Sequence, residues 1–173
     1  MQHEAHYIAN ELDVLSQQIL AQCEEFPEFI LHWPPPIPGG HSLFTLALEA
    51  ITLVEEWILI PVSGVQFSAL PCSKKSSIET LSHLRVAYKQ WSQEVHKLLD
   101  LLPSSLLDCS VEIHPAISQR KDANQGETIC IRSCLFHALV EVSMITGKMQ
   151  ILRQLFIDGE RMLTELPENI YMD

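Results

Sequence analysis

His137, Glu141 and Lys148 lie in TICIRSCLFHALVEVSMITGKMQILRQLFID, residues 128–158, a long segment nearly free of helix breakers. At about 100° per residue its polar side chains fall on two lines. Arg132, Ser143, Thr146, Gln150, Arg153 and Gln154 share the side expected to meet water. Nearly opposite run Cys130, Cys134, His137, Glu141, Met144, Ile145, Lys148, Leu152 and Leu155. A charge on an inward stripe is costly unless partnered, so His137 and Glu141, four apart on one face, are candidates for acid/base or ligand work. The competing reading makes His137 a core histidine with one hydrogen bond and pairs Glu141 with Lys148 or a neighbouring helix. Cys130 and Cys134 offer two thiols at the same spacing, but two thiols alone make a poor zinc site, and small core residues are the simpler role. His3, Glu4 and His6 are chelating types on an end expected to be solvated. His32, His83, His96 and His114 are scattered, with His83 and His96 expected in solvent. No Gly-rich phosphate loop, GxSxG or His-Glu-x-x-His occurs.

Four helical segments position these groups. In the first, residues 3–26, Ala5, Ile8, Leu12, Leu15, Ile19, Gln22/Cys23 and Phe26 step by three and four. The connector 27–41, PEFILHWPPPIPGGH, is stiffened by three consecutive prolines, and Phe29, Ile30, Trp33 and Ile37 are expected to pin it over the core. Ser42 caps a second helix over residues 42–60, stopped by Pro61, with core stripe Leu43, Leu46, Ala50, Leu53 and Trp57. Thr45, Glu49, Thr52 and Glu56 form its polar line. A capping box from Ser76 to Glu79 opens the third helix, 77–102, whose seam is Leu81, Leu84, Tyr88, Trp91, Val95, Leu98 and Leu102. Residues 103–127 are polar and irregular, with one short extended piece within 106–113. The fourth helix, 128–158, ends on Gly159 as a cap. This order predicts an all-α, antiparallel four-helix bundle in a single domain, 1–173.

Composition narrows the function. The chain has 173 residues, enough for one core, and 47% apolar against 19% charged residues exclude a disordered chain. Twenty-two acidic against eleven basic residues give a net charge of −11, which repels phosphate backbones and argues against nucleic acid. No apolar run is long enough to span a bilayer, and the first residues lack a secretory pattern. Five cysteines without a CxxC fit reduced thiols in a cytoplasm.

Two stretches resemble the DinB/YfiT-like family, four-helix bundles found mostly in bacteria: HWPPPIPGGHSLFTLALEAITLVEEWI, and TICIRSCLFHALVEVSMITGKMQILRQL with its Leu135, Phe136, His137, Gly147, Leu152 and Arg153. The resemblance implies a divalent metal, Zn or Ni, held by one histidine on helix two and a pair four apart on helix four. Those positions fall here on Glu49, Glu141 and Ile145, none of them His. An altered set of Glu49, His137 and Glu141, also the candidate catalytic residues, keeps one imidazole and two carboxylates with an open position. A chain with no metal is the simpler expectation. The resemblance further implies a small-molecule cleft between helices two and four, and in some relatives thiol-dependent transferase or isomerase activity. The alternative is a non-catalytic ligand-binding bundle or homodimer, because Phe44, Leu48, Ile51, Ile58 and Leu59 add apolar surface to helix two that must be covered.

Overall fold

Apolar residues stepping by three and four close the first helix, α1 (Glu4–Glu24), around Ala5, Ile8, Leu12, Ile19 and Cys23, all buried. The computed structural model describes residues 4–36, 39–63, 78–112 and 128–164. Ile37 and Ser76 lie outside them. After Pro27 the chain makes one helical turn, α2 (Glu28–Leu31). That turn sends Leu31 into the core, 1% exposed, and leaves Phe29 73% exposed. The connector is therefore anchored by Leu31 rather than by Phe29 and Trp33, both of which stay exposed.

Ser42 caps α3 (Leu43–Val54) as expected, its hydroxyl accepting from the Thr45 N–H at 3.1 Å. The whole predicted stripe of this helix is buried. Pro61 does not stop it. Residues Glu55–Leu59 form a π-helical turn in which the Ile60 N–H bonds the Glu55 carbonyl, and α4 (Ile60–Ser63) continues beyond. A proline inside an α-helix loses the bond to the carbonyl four residues back and presses its ring against it. Widening the preceding turn relieves that clash around Trp57. The same widening shifts the helix phase, so that Glu56, expected on the polar line, is buried together with Glu55.

The third long helix, α5 (Leu81–Asp100), starts later than expected. Thr80 is its cap, accepting from the His83 N–H at 3.3 Å. Its seam is buried at Leu84, Tyr88, Trp91, Val95 and Leu102, and half-buried at Leu81 and Leu98. The Tyr88 hydroxyl donates to the Ala47 carbonyl at 2.8 Å, tying α5 to α3.

Thr128–Cys130, expected to begin the last helix, is instead β2, paired antiparallel with β1 (Ser110–Glu112) in the register Val111 to Ile129. The last helix, α6 (Ile131–Thr164), runs through Gly159, which is not a cap. Its first N–H groups have no partner within the helix; those of Ile131 and Arg132 bond the Cys109 and Leu107 carbonyls at 3.0 and 2.8 Å. The Arg132 guanidinium, expected in water, is half-buried and joins Asp108 to Glu4 at the start of α1.

The main packing contacts of α6 are with α1, α3 and the π turn, and α1 also packs on α5. The buried face of α6 is Ile131, Cys134, Leu135, Ala138, Val142, Ile145, Met149 and Leu152. This stripe is turned by roughly 70° from the predicted one, at about 100° per residue. Met144, Lys148 and Leu155 accordingly face out, and Thr146, expected in water, is buried with its hydroxyl donating to the Val142 carbonyl at 2.9 Å. The class is all-α with one small two-stranded ribbon. Among the described residues no helix is long and apolar enough to cross a membrane.

Tyr88→Phe should lower the unfolding free energy by ~0.5–1.5 kcal/mol, the worth of one buried hydrogen bond. Urea denaturation with an unchanged midpoint would show that the α3–α5 contact does not depend on that hydroxyl.

Candidate functional site

The residues picked out by sequence are placed in three different settings. Glu49 is half-buried on α3, and its Oε2 lies 3.4 Å from Nδ1 of His41 at the end of the connector. His137 is half-buried on α6 and stacks on Trp57 of the π turn, ring centroids 4.5 Å apart and planes 17° from parallel. Glu141, one turn further, is half-buried at the edge of the same packed face. Ile145, the third position that the family resemblance would assign to a ligand, is 2% exposed and has no atom to offer a metal. The residues at those positions therefore do not fit the family's metal. Among the described residues one group brings three potential ligand atoms within 4.8 Å of each other, and it consists of His6, His96 and Asp100. Glu49, His137 and Glu141 are not drawn together in that way.

Glu49 instead contributes to a cleft of about 1410 Å³. One wall is the turn α2 with the connector behind it, bringing Phe29, Ile30, Trp33, Pro35 and Pro36. The other is the second half of α6, bringing Ile151, Leu152, Leu155 and Phe156. Phe156 joins the two walls, edge-on to Phe26 at 5.7 Å and tilted against Trp33 at 5.5 Å. Arg153 of α6 donates to Glu25 of the lining at 2.9 Å, a charge-assisted bond. Gly39, at φ +72°, turns the connector back toward α3 in a conformation that side chains disfavour. Polar groups on the lining are few: Glu25, His41, Glu49 and Lys148. Among the described residues, His41 faces Glu49 and Arg153 faces Glu25, while no ion pair engages Lys148. A cleft of this composition can take up an apolar body and hold a polar end; among the described residues its lining brings no nucleophile beside a base.

The sequence signal for this cleft was the cluster of aromatics and prolines in the connector. Its meaning depended on whether Phe29 and Trp33 point in or out, and one turn of α2 decides that.

Three thiols differ sharply. Burial pushes the Cys23 thiol up to about 12, with the Glu24 carboxylate adding to the effect, and pushes Cys134 up to about 11, with Cys130 adding. Cys130, just ahead of α6, moves the other way, because the Ser133 hydroxyl and then the Ser133 N–H bond its sulfur. The expectation that Cys130 is a small core residue beside Cys134 therefore holds for Cys134 alone, since Cys130 is half-exposed in β2.

No protein-family model, curated protein or solved structure matches this chain.

Iodoacetamide at neutral pH should alkylate Cys130 and the exposed Cys109 in the native protein and spare Cys23 and Cys134 until it unfolds; peptide mapping that finds Cys134 labelled first would contradict this placement. The buried thiols also set a sign for alkaline stability. Both pKa values are raised above the ordinary 9.0, so their contribution is complete below about pH 9 and is lost as pH climbs toward 11 and 12.

Proposed function

We propose that this chain is a non-catalytic binding protein for an amphipathic small molecule, held in the cleft between the connector and α6. One observation carries the reading: Phe29, Trp33, Ile151 and Leu155 remain 73%, 46%, 66% and 62% exposed around a single concavity. Apolar groups gathered in this way mark a surface that has something to cover. The concavity is larger than the roughly 300–1,000 Å³ of common small-ligand sites, which suits an elongated apolar body. Lys148 supplies the cation for an anionic head group.

An antiparallel four-helix bundle and the DinB/YfiT-like resemblance frame this proposal. They are supported by four long helical stretches in the expected order, a proline-rich connector after the first, and the Leu135–Phe136–His137 sequence on the last. A cytoplasmic, bacterial setting follows from that resemblance and from the cysteine spacing. The metal-dependent thiol transferase reading has less behind it, because Ile145 occupies a ligand position.

A homodimer is the second reading, and a different observation favours it. Phe136, Val140 and Met144 repeat every four residues along an exposed edge of α6, at 49%, 54% and 57% exposure. Gly147 follows, with open space where a side chain would stand. On that second reading, sedimentation velocity at tens of micromolar shows a dimer that Met144→Lys dissociates; a wild-type monomer removes it.

The binding proposal is tested by titrating tag-free protein with 8-anilinonaphthalene-1-sulfonate, an apolar dye with an anionic group. Saturable binding near one equivalent is expected, with a Kd on the order of micromolar, about −8 kcal/mol. Leu155→Glu should weaken it at least about tenfold, ~1.4 kcal/mol, without changing the melting temperature. Equal binding by the variant would place the dye elsewhere and remove the proposal.

A further inference from the structure

We propose that His6, His96 and Asp100 form a site for one divalent first-row transition-metal ion, with Asp13 holding the His96 ring in position. The site shares no residue with the cleft and does not depend on it.

His96 and Asp100 are four apart on α5 and project from one face. His6 comes from the first turns of α1, which packs along α5. The potential ligand atoms of these three lie within 4.8 Å of one another. Nδ1 of His6 and Oδ1 of Asp100 are already 2.9 Å apart, and the two imidazole rings are 6.0 Å apart between centroids. Bonds of about 2.0–2.2 Å to an ion put tetrahedral ligand atoms roughly 3.3 Å from each other. The present spacings, 2.9 Å for one pair and no more than 4.8 Å for the others, are comparable with that value.

Asp13 distinguishes this cluster from a pair of surface hydrogen bonds. It lies on α1, and its two carboxylate oxygens are both engaged: Oδ1 accepts from the Ser92 hydroxyl and Oδ2 meets Nε2 of His96, each at 2.6 Å. A carboxylate on the far nitrogen of an imidazole fixes its orientation and raises its basicity as a ligand, the arrangement that accompanies metal-bound histidines. Nδ1 of His96 is the ring nitrogen that Asp13 leaves unclaimed. Charge also matches. Carboxylates beside imidazoles suit a divalent cation, and the chain as a whole has a net charge of −11. Two imidazoles and one carboxylate suit Zn(II), Co(II) or Fe(II), and three protein ligands leave a position open. The side chains of His96, His6 and Asp100 are 26%, 35% and 53% exposed, so an ion can enter from solvent.

The test uses the full chain without an affinity tag, stripped with chelator and titrated with Co(II) and, separately, Zn(II). Calorimetry should give one equivalent, and Co(II) should develop the visible absorption of a site with fewer than six ligands. His96→Ala and Asp100→Asn should each weaken binding at least about tenfold, and Asp13→Asn by roughly 10- to 100-fold with an altered Co(II) spectrum. His83→Ala, on the same helix outside the cluster, should bind as wild type. Circular dichroism checks that each variant folds; if His96→Ala does not, His6→Ala takes its place. Absence of stoichiometric binding, or wild-type affinity in His6→Ala and Asp100→Asn, overturns the proposal.

Discussion

Burial of one face of α6 is the constraint from which the other features of the molecule follow. Leu135, Ala138, Val142, Ile145 and Met149 are each 2% exposed or less, on the helix that packs on α1, α3 and the π turn. Each large apolar side chain so buried contributes ~1.5–3 kcal/mol, more than any single polar contact at the helix edges. Packing on three partners fixes the rotation of α6. That rotation puts His137 and Glu141 at the border of the packed face and sends Ile151 and Leu155 outward to form a cleft wall. The start of the helix is held as firmly, by the carbonyls of Leu107 and Cys109 and by the bridge from Arg132 to Asp108 and Glu4.

The π turn is the second consequence. Trp57 has to reach into the core, where it is 2% exposed, yet Pro61 follows four residues later. An α-helix cannot satisfy both without strain, and one wider turn accommodates the proline while placing Trp57 under the His137 ring. Glu55 and Glu56 are carried inward with it. Here the π turn packs against α6 beside α3.

Much of the architecture was legible because local chemistry decides it. The α5 seam, the Ser42 cap and the buried line of α3 follow from spacing and from side chains that satisfy their own backbone. Other features were hidden because contacts distant in sequence decide them. Since α6 is apolar on most of its circumference, its inward face depended on which neighbours packed against it. Phe29 and Trp33 read as anchors, but one turn of helix gave that task to Leu31. His6, Asp13, His96 and Asp100 carried no common motif; two helices bring together residues 83 and 94 positions apart in the chain. His96, expected in solvent, is half-buried, because its position beside the α5 seam says nothing about what α1 places opposite it.

The proposed occupant of the apolar cleft is a small molecule with an anionic end. Native mass spectrometry of tag-free protein at low micromolar concentration, with and without decanoate, tests it most directly, because species are counted by mass. One decanoate per chain is the predicted result, an adduct lost in Leu155→Glu. A dimer that takes up no decanoate, or a monomer that stays bare, would contradict it.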